Sequence, residues 1–403
     1  MRTTFGSIFR GDRVIWGLIV VFMIYSLLAV YSSSVSVAFS RYDGNTTFFL
    51  KSQGVMLAFC LFIIIVTHQL PYRIYSSLAG FFVLVSIILL ILTLIFGVSI
   101  NEAARWITIP GTGFRIQTSD IAKVSLVIYM ARLLSRHQHQ LKDFKLITRI
   151  FIVPIAIVCA LILPENLSTA LLIFGICMLI LFVGRVSLKY IMAWIGMAVA
   201  GVLLFALLLD LATDANRVSV WKSRIENFVS GEEDIDGDYQ ANQAKIAIAS
   251  GGLIGKAPGN SVQRNMLPQS NSDFIFAIII EEYGLFFGAI PISLVYLILL
   301  FRGIAIAKKC ETAFPAFLVL GLTIMIVVQA ILNMAVAVGL FPVTGQTLPM
   351  ISWGRTSMLV TSFSLGAILG VSRVVNARAN NEELDEEEIE NEGDEVIYEG
   401  ATA

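Results

Sequence analysis

The chain is short of charge. Asp, Glu, Lys and Arg make up 14% of its 403 residues, against about a quarter in an ordinary soluble domain. With 57% hydrophobic residues and a mean hydropathy of +0.82, a water-soluble fold is excluded, because no core of this length requires so much apolar side chain. Reactive residues are equally sparse. The four cysteines, Cys60, Cys159, Cys177 and Cys310, fall in or beside apolar segments without the paired spacing of a zinc site or a disulfide framework, and read as packing residues. Of the three histidines, His68 stands by itself and the His137-Gln138-His139 turn has no further ligand nearby, so no metal centre is expected there. There is no Walker-type loop, no dinucleotide glycine fingerprint and no Gly-x-Ser-x-Gly elbow, which removes any suggestion of ATP-driven work. No basic stripe interleaved with aromatics supports nucleic-acid binding.

Long apolar runs are what the chain does have. They cover 14–30, 54–66, 78–98, 121–134, 147–163, 167–183, 190–209, 274–300, 316–337 and 348–371, each of spanning or near-spanning length. The first is too long for a signal-peptide core and is followed by further spans, so it stays as a helix. The expected fold is therefore an all-α polytopic membrane protein of ten transmembrane helices. Basic residues alternate between the connections: Arg73, the cluster from Arg132 to Arg149, Arg185 and Lys189, Arg302 with Lys308 and Lys309, and Arg373 with Arg378 all fall on the side of the N-terminus. Arg41, Lys51, Arg105 and Arg115 fall on the other. Positive charge stays inside, so both termini are expected in the cytoplasm.

Two segments stand apart from the apolar spans: a long loop within the membrane domain at 1–378, and a tail beyond it. Residues 210–272, between helices 7 and 8, form an extracytoplasmic loop far longer than the ~12–15 residues of an ordinary connection. Trp221, Ile225 and Phe228, at helical spacing beside Arg217, Lys222 and Arg224, are expected to lie in the headgroup plane. Residues 379–403 are an acidic run with little apolar content, expected to be a disordered cytoplasmic tail.

Charges inside a membrane face a cavity or a partner. Asp273 sits where the long loop enters an apolar run, either as a reactive carboxylate at headgroup depth or, with Ser272, as a helix cap. Asp120 and Lys123, at i and i+3, share a helical face and are expected to pair. Arg105, beside Trp106, suits a diphosphate or anchors at the interface. One of Glu281 and Glu282, two turns into the helix after Asp273, is expected to line a cavity. The stretch PVTGQTLPMISWGRTS, with two prolines and two glycines before Arg355, predicts broken backbone against protein or a water-filled cavity.

Several of these stretches occur together, in order, in one family. The segment 239–284 (YQ, SGG, LP, then DFIF, EE and G), ARWI with QTSDIAK, and Asn333 onward through PVTG, LP and ISWG resemble the SEDS family of shape, elongation, division and sporulation proteins. These are bacterial inner-membrane glycosyltransferases that polymerise peptidoglycan from lipid II. The match covers almost the whole chain and looks most like the division branch, with the elongation branch second. It implies Asp273 as general base. It also implies substrate-binding positions at Arg105, Asp120, Lys123, Glu165, Gln240, Gln243, Glu281 and Ser352. The chemistry has room for a divalent cation, magnesium or manganese, held partly by Asp273, and for no nucleotide. The implied partners are lipid II, the growing glycan strand, a class B penicillin-binding protein, other divisome proteins and membrane lipids. The chain departs from the family where Asp120 replaces the usual Glu, where Lys256-Ala257-Pro258 replaces a glycine-rich turn and where Arg355 replaces glycine. Asn166 replaces the usual Asp, so that either Glu165 supplies the charge or a hydrogen bond suffices. A lipid II flippase and a scaffold for a partner synthase are the competing readings, because a flippase would use the same cavity and charged pair.

Overall fold

The computed structural model describes residues 10–33, 46–100, 103–108, 115–212, 239–267 and 270–400. Trp221, Ile225 and Phe228 lie outside them. The helices are α1 (Arg13–Ser33), α2 (Thr46–Gln69), α3 (Tyr72–Phe96), α4 (Thr118–Arg136), α5 (Phe144–Ile147), α6 (Val153–Ile162), α7 (Leu167–Val183), α8 (Leu188–Ala212), α9 (Tyr239–Gly251), α10 (Ile275–Gly284), α11 (Ile290–Lys308), α12 (Ala313–Ala337) and α13 (Arg355–Gly400). Single π-helical segments, Thr148–Ile152 and Leu285–Ala289, join α5 to α6 and α10 to α11.

Among the described residues, eight helices are long and apolar enough to cross a membrane. Each of the ten predicted runs falls on a helix, but two miss that standard. α7 has 17 residues, about 26 Å at the α-helical rise. α4 carries Asp120, Lys123, Arg132 and Arg136, and fourteen of its nineteen residues are buried, so protein rather than lipid surrounds it. Glycines let helices close on this centre: a Cβ on Gly321 of α12 would stand 2.8 Å from Val127 of α4, and one on Gly366 of α13 would stand 1.8 Å from Thr67 of α2.

The run expected at 274–300 is not one helix through the membrane. Ile275–Lys308 has 34 residues, about 51 Å as a straight helix against a ~30 Å hydrocarbon core. Contacts with α1 act as a ruler. Arg302 pairs with Asp12 at the start of α1, Tyr296 meets Phe22, the Tyr25 hydroxyl donates to the Phe287 carbonyl at 2.8 Å, and the Ser32 hydroxyl donates to Glu282 in the last turn. At the other end of α10, the Asp273 carbonyl accepts from Asn333, near the end of α12. Both ends of α10 thus stand at the far face of the bundle, opposite Asp12, and α10 lies across that face. The bend is at Gly284, with φ +70° and ψ −170°, a conformation open to glycine.

That break is covered by the loop after α9. Leu285 N donates to Gly252 O at 3.1 Å, Phe286 N to Leu253 O at 3.1 Å and Lys256 N to Glu281 O at 2.9 Å, so amides freed from the helix find partners. The approach is backbone to backbone, and a Cβ on Gly251 would stand 2.1 Å from the Ile280 carbonyl. Ala244 and Ala247 of α9 pack with Phe274, Ala277 and Ile278 of α10 and with Val336 of α12 in a small separate core. This part of the expected loop is therefore a packed helical hairpin.

Two further differences from the sequence reading are local. Among the described residues the fold is all-α except for a three-stranded antiparallel sheet, β1 (Val98–Ile100), β2 (Ala103–Thr108) and β3 (Arg115–Gln117), ordered β1-β2-β3 with Trp106 opposite Gln117. Its strands are too short to show their alternation beside the long apolar runs. The last helix begins at Arg355, not near Leu348, and its backbone stays helical through the acidic run to Gly400.

The near face is locked by Asp12. Its carboxylate accepts from Val14 N at 2.9 Å and Ile15 N at 3.1 Å, capping α1, and from Arg302 Nε at 2.9 Å, while Asp12 N donates to the Ser372 hydroxyl at 2.7 Å.

Candidate active site

A cavity of about 440 Å³ opens at the far face between the sheet, the start of α4, the α6–α7 turn, the entry to α10 and the segment before α13. Its wall includes Arg105 and Trp106 of β2, Arg115 and Gln117 of β3, Asp120, Asn166, Gln240, Asp273, Gly345 and Trp353. Four of the residues expected to bind or react therefore meet here: Asp273, Arg105, Asp120 and Gln240. Asp273 and Arg105 face the same point, since a Cβ on Gly345 would stand 3.7 Å from Asp273 Oδ2 and 3.8 Å from Arg105 Nη1. Gly345 has φ +68°, so the turn that leaves this point open is one that side chains disfavour.

Asp273 is not a helix cap. The N-cap of α10 is Phe274, without a side-chain cap hydrogen bond, so the first amides of α10 are not what holds this carboxylate. Its backbone is fixed instead. The carbonyl of Asn271 accepts from Trp353 N at 2.8 Å, that of Ser272 from the Ser352 hydroxyl at 2.6 Å, and that of Asp273 from Asn333 Nδ2 at 2.8 Å. The same Asn333 nitrogen donates to Gln346 O at 2.6 Å, and Gln346 Nε2 donates to the Thr169 hydroxyl at 2.7 Å. Asn333 and the ISWG stretch thus form the bracket that holds three consecutive peptide groups. Met350, buried in this segment with φ +64°, adopts a conformation uncommon outside glycine. The half-buried Asp273 carboxyl has its pKa raised to about 6 by loss of water, against the lowering effects of the Ser272 hydroxyl and the Arg105 guanidinium.

The other expected site residues have different surroundings. Lys123 stands behind Asp120 rather than in the wall: its ammonium donates to Asp120 Oδ1 at 3.2 Å and to Gln329 Oε1, and Gln329 donates to Thr347 O at 3.0 Å. The predicted i, i+3 pair is present, and its lysine orients the acid. Asn166 lines the cavity and accepts from Thr169 N at 3.1 Å, capping α7. Glu165 is absent from that wall. Its carbonyl accepts from Arg105 Nε at 2.9 Å, and it lines with Arg105 and Asn166 a pocket of only about 20 Å³. Of the two alternatives, the structure places Asn166 in the cavity. Ser352 serves the bracket. Gln243 is half-buried on α9 and outside the cavity wall.

Glu281 and Glu282 do not reach the cavity. Glu281 is fully buried and accepts from Lys256 Nζ at 2.8 Å, Val262 N at 3.1 Å, Gln263 N at 3.3 Å and the hydroxyls of Ser250 and Ser261. Glu282 stands 3.8 Å from Arg264, which also donates to Ser32. These carboxylates fasten the loop after α9 to α10 and α1. Sequence reasoning did not single out Gln117 or Trp353 as cavity residues and placed Arg115 only by side; the strand register, invisible in so short a run, brings Arg115 and Gln117 to this wall.

Among the described residues, no three His, Cys, Asp or Glu stand close enough to hold a metal by themselves. Asp120 and Asp273 line one cavity, a donor set that suits magnesium-type binding, in which one or two carboxylates share the ion with water and substrate phosphates.

A family model, FTSW_RODA_SPOVE, described as cell cycle protein, matches residues 12–377. A probable peptidoglycan glycosyltransferase FtsW of Geobacter metallireducens is 34% identical over 368 residues, covering 90% of this chain and 95% of the relative. The probable peptidoglycan glycosyltransferase FtsW of Escherichia coli O6:H1 is 31% identical over 374 residues, covering 91% of this chain and 86% of the relative. Among solved structures, a chain of a peptidoglycan synthase complex, described for its coordination of polymerization and crosslinking, superimposes with a TM-score of 0.66 at 24% identity, covering 91% of this chain and 98% of that one. The rod shape determining protein RodA of Thermus thermophilus gives 0.63 at 23% identity, covering 90% and 97%.

Proposed function

This chain belongs to the FTSW_RODA_SPOVE family of cell cycle proteins, and from that membership we propose that it is a peptidoglycan glycosyltransferase polymerising lipid II, with Asp273 as general base. The supporting observation is the far-face cavity, where one carboxylate and two guanidinium groups, Arg105 and Arg115, share a wall with Asp120. In this reaction the 4-hydroxyl of one sugar attacks the anomeric carbon of another and undecaprenyl diphosphate leaves. Asp273 takes the hydroxyl proton, and its raised pKa makes it a stronger base than an ordinary carboxylate while leaving it mostly ionised near neutrality. Arg105 meets the departing diphosphate, where bidentate guanidinium contacts suit phosphate oxygens. Asp120, oriented by Lys123, faces the same space. Asp120 and Asp273 are the residues that would hold magnesium or manganese, which would supply neutralising charge for the leaving diphosphate.

The same reading places ten helices in the bacterial plasma membrane, with both termini in the cytoplasm and the far face outside, where flipped lipid II arrives. FtsW names among the relatives favour a septal division role. The likeness to a synthase complex that coordinates polymerization and crosslinking supports pairing with a class B penicillin-binding protein.

The test supplies purified protein and its cross-linking partner with labelled lipid II. The parent protein makes glycan chains, and Asp273→Asn makes at least ~10²-fold fewer while still binding the partner. No polymer from the parent would favour a flippase. Parental rates from a folded Asp273→Asn protein would remove Asp273 as the base.

A further inference from the structure

A second cavity, of about 320 Å³, opens on the near face, at the opposite side of the bundle from Asp273. Four spanning segments end on it. Tyr72 begins α3, Lys309 follows α11, Pro315 lies in the first turn of α12, and Arg378 closes the spanning part of α13. The volume is at the lower end of the ~300–1,000 Å³ usual for small-molecule sites. Its composition is divided. Pro315, Val371, Val374 and Val375 give an apolar wall, while Lys309 and Arg378 give a cationic one. Arg378 donates to Glu311 in a pair open to solvent, and exposed pairs of this kind contribute little, so the guanidinium is available to a stronger anion.

We infer that this cavity holds the headgroup end of an anionic glycerophospholipid, its phosphate on Lys309 and Arg378 and the first methylenes of its acyl chains against Pro315 and the α13 valines. A small soluble anion would gain nothing from the apolar wall, and phosphate-bearing headgroups stand at the level where spanning helices end. Basic pockets between transmembrane helices are known to take such headgroups. Glu311 competes with the phosphate for Arg378 and keeps the site exchangeable. The site is independent of Asp273 and its chemistry.

Cys310 supplies the readout, because it is half-buried in this cavity. Burial pushes its thiol up to about 11, so it is alkylated slowly, at mildly alkaline pH, and its rate follows access. Full-length protein in maltoside micelles is treated with iodoacetamide, and modification of Cys310 is followed by peptide mass spectrometry. Dioctanoyl phosphatidylglycerol at ten times its Kd should slow the reaction roughly tenfold. Dioctanoyl phosphatidylcholine should slow it far less. Lys309→Gln with Arg378→Gln should abolish the protection, and Glu311→Gln, which alters only an exposed pair, should strengthen it. Equal protection by phosphatidylcholine, protection by inorganic phosphate alone, or a Glu311→Gln variant that binds phosphatidylglycerol more weakly would each overturn the assignment.

Discussion

Two acidic groups stand at opposite ends of α10. Glu281 is fully buried and accepts from two backbone amides, two hydroxyls and the Lys256 ammonium. Asp273 is half-buried in the wall of an open cavity, with its pKa raised to about 6. Both follow from the rule that a charge near a membrane interior must find a partner. They obey it differently: the protein uses up the whole hydrogen-bonding capacity of Glu281 and leaves part of that of Asp273 to whatever enters the cavity. Spare capacity, rather than charge, separates a reactive group from a structural one.

The comparison is most exposed at Glu281. Glu281→Ala leaves the Val262 and Gln263 amides and the Ser261 hydroxyl without their acceptor, and each buried donor left unsatisfied costs about 1–3 kcal/mol. Thermal unfolding in detergent should show a large drop, while the protein that remains folded still polymerises. An unchanged midpoint would mean that the fastening of the loop to α10 is dispensable.

Asp273→Asn should have the opposite sign on stability. A carboxyl whose folded pKa of about 6 exceeds its unfolded value of ~3.9 is destabilising when ionised, by up to about 2–3 kcal/mol for a shift of this size. That cost is absent below both values, grows as pH rises between them and is complete above the folded one. At neutral pH the variant should therefore unfold no earlier than the parent, and any advantage should vanish as pH falls toward 4. A clear loss of stability at neutral pH would show that Asp273 is a structural acceptor like Glu281.

Smaller effects sharpen the contrast. Polymerisation should rise with pH through about 6 as Asp273 ionises. Arg105→Gln removes a neighbour that lowers this pKa, so the acid limb should move to higher pH in addition to any loss of rate. An acid limb that stays in place would separate Arg105 from the base. At the Glu281 end, Ala257 has φ +73°. Ala257→Gly relieves ~1–2 kcal/mol of strain against a gain in unfolded-chain freedom of ~0.4–1 kcal/mol. The net is a stabilisation of at most ~1.6 kcal/mol, visible as a small rise in the unfolding midpoint without change in turnover.

Much of this was legible in the chain. Apolar runs locate the eight helices that, among the described residues, are long and apolar enough to cross a membrane, because hydropathy is a property of each segment alone. Asp120 with Lys123 was legible because helical spacing is local. Asp273, Arg105 and Asp120 were singled out one by one from charge near a membrane, but their common cavity depends on tertiary contacts: the Asn333 and Ser352 bracket under Asp273, and the strand pairing that turns Arg115 and Gln117 toward it. Glu281 misled for the same reason. A carboxylate in an apolar run looks the same whether it faces a cavity or the amides of Val262 and Gln263. The crossing direction of α10 was hidden in Gly284, whose backbone angles no composition reveals.

The bond from Asp12 N to the Ser372 hydroxyl joins residues 360 positions apart. Synthesis proceeds from the N-terminus, so α1 enters the membrane with the Asp12 amide unmatched and waits for almost the entire chain before Ser372 arrives. The far-face cavity has the same property, since Arg105 and Asp120 are made early and Thr356 and Ser357 of its wall are made last. No chain stopped short of α13 holds a complete cavity wall, and a translation product released before it leaves the Asp12 amide without its Ser372 acceptor.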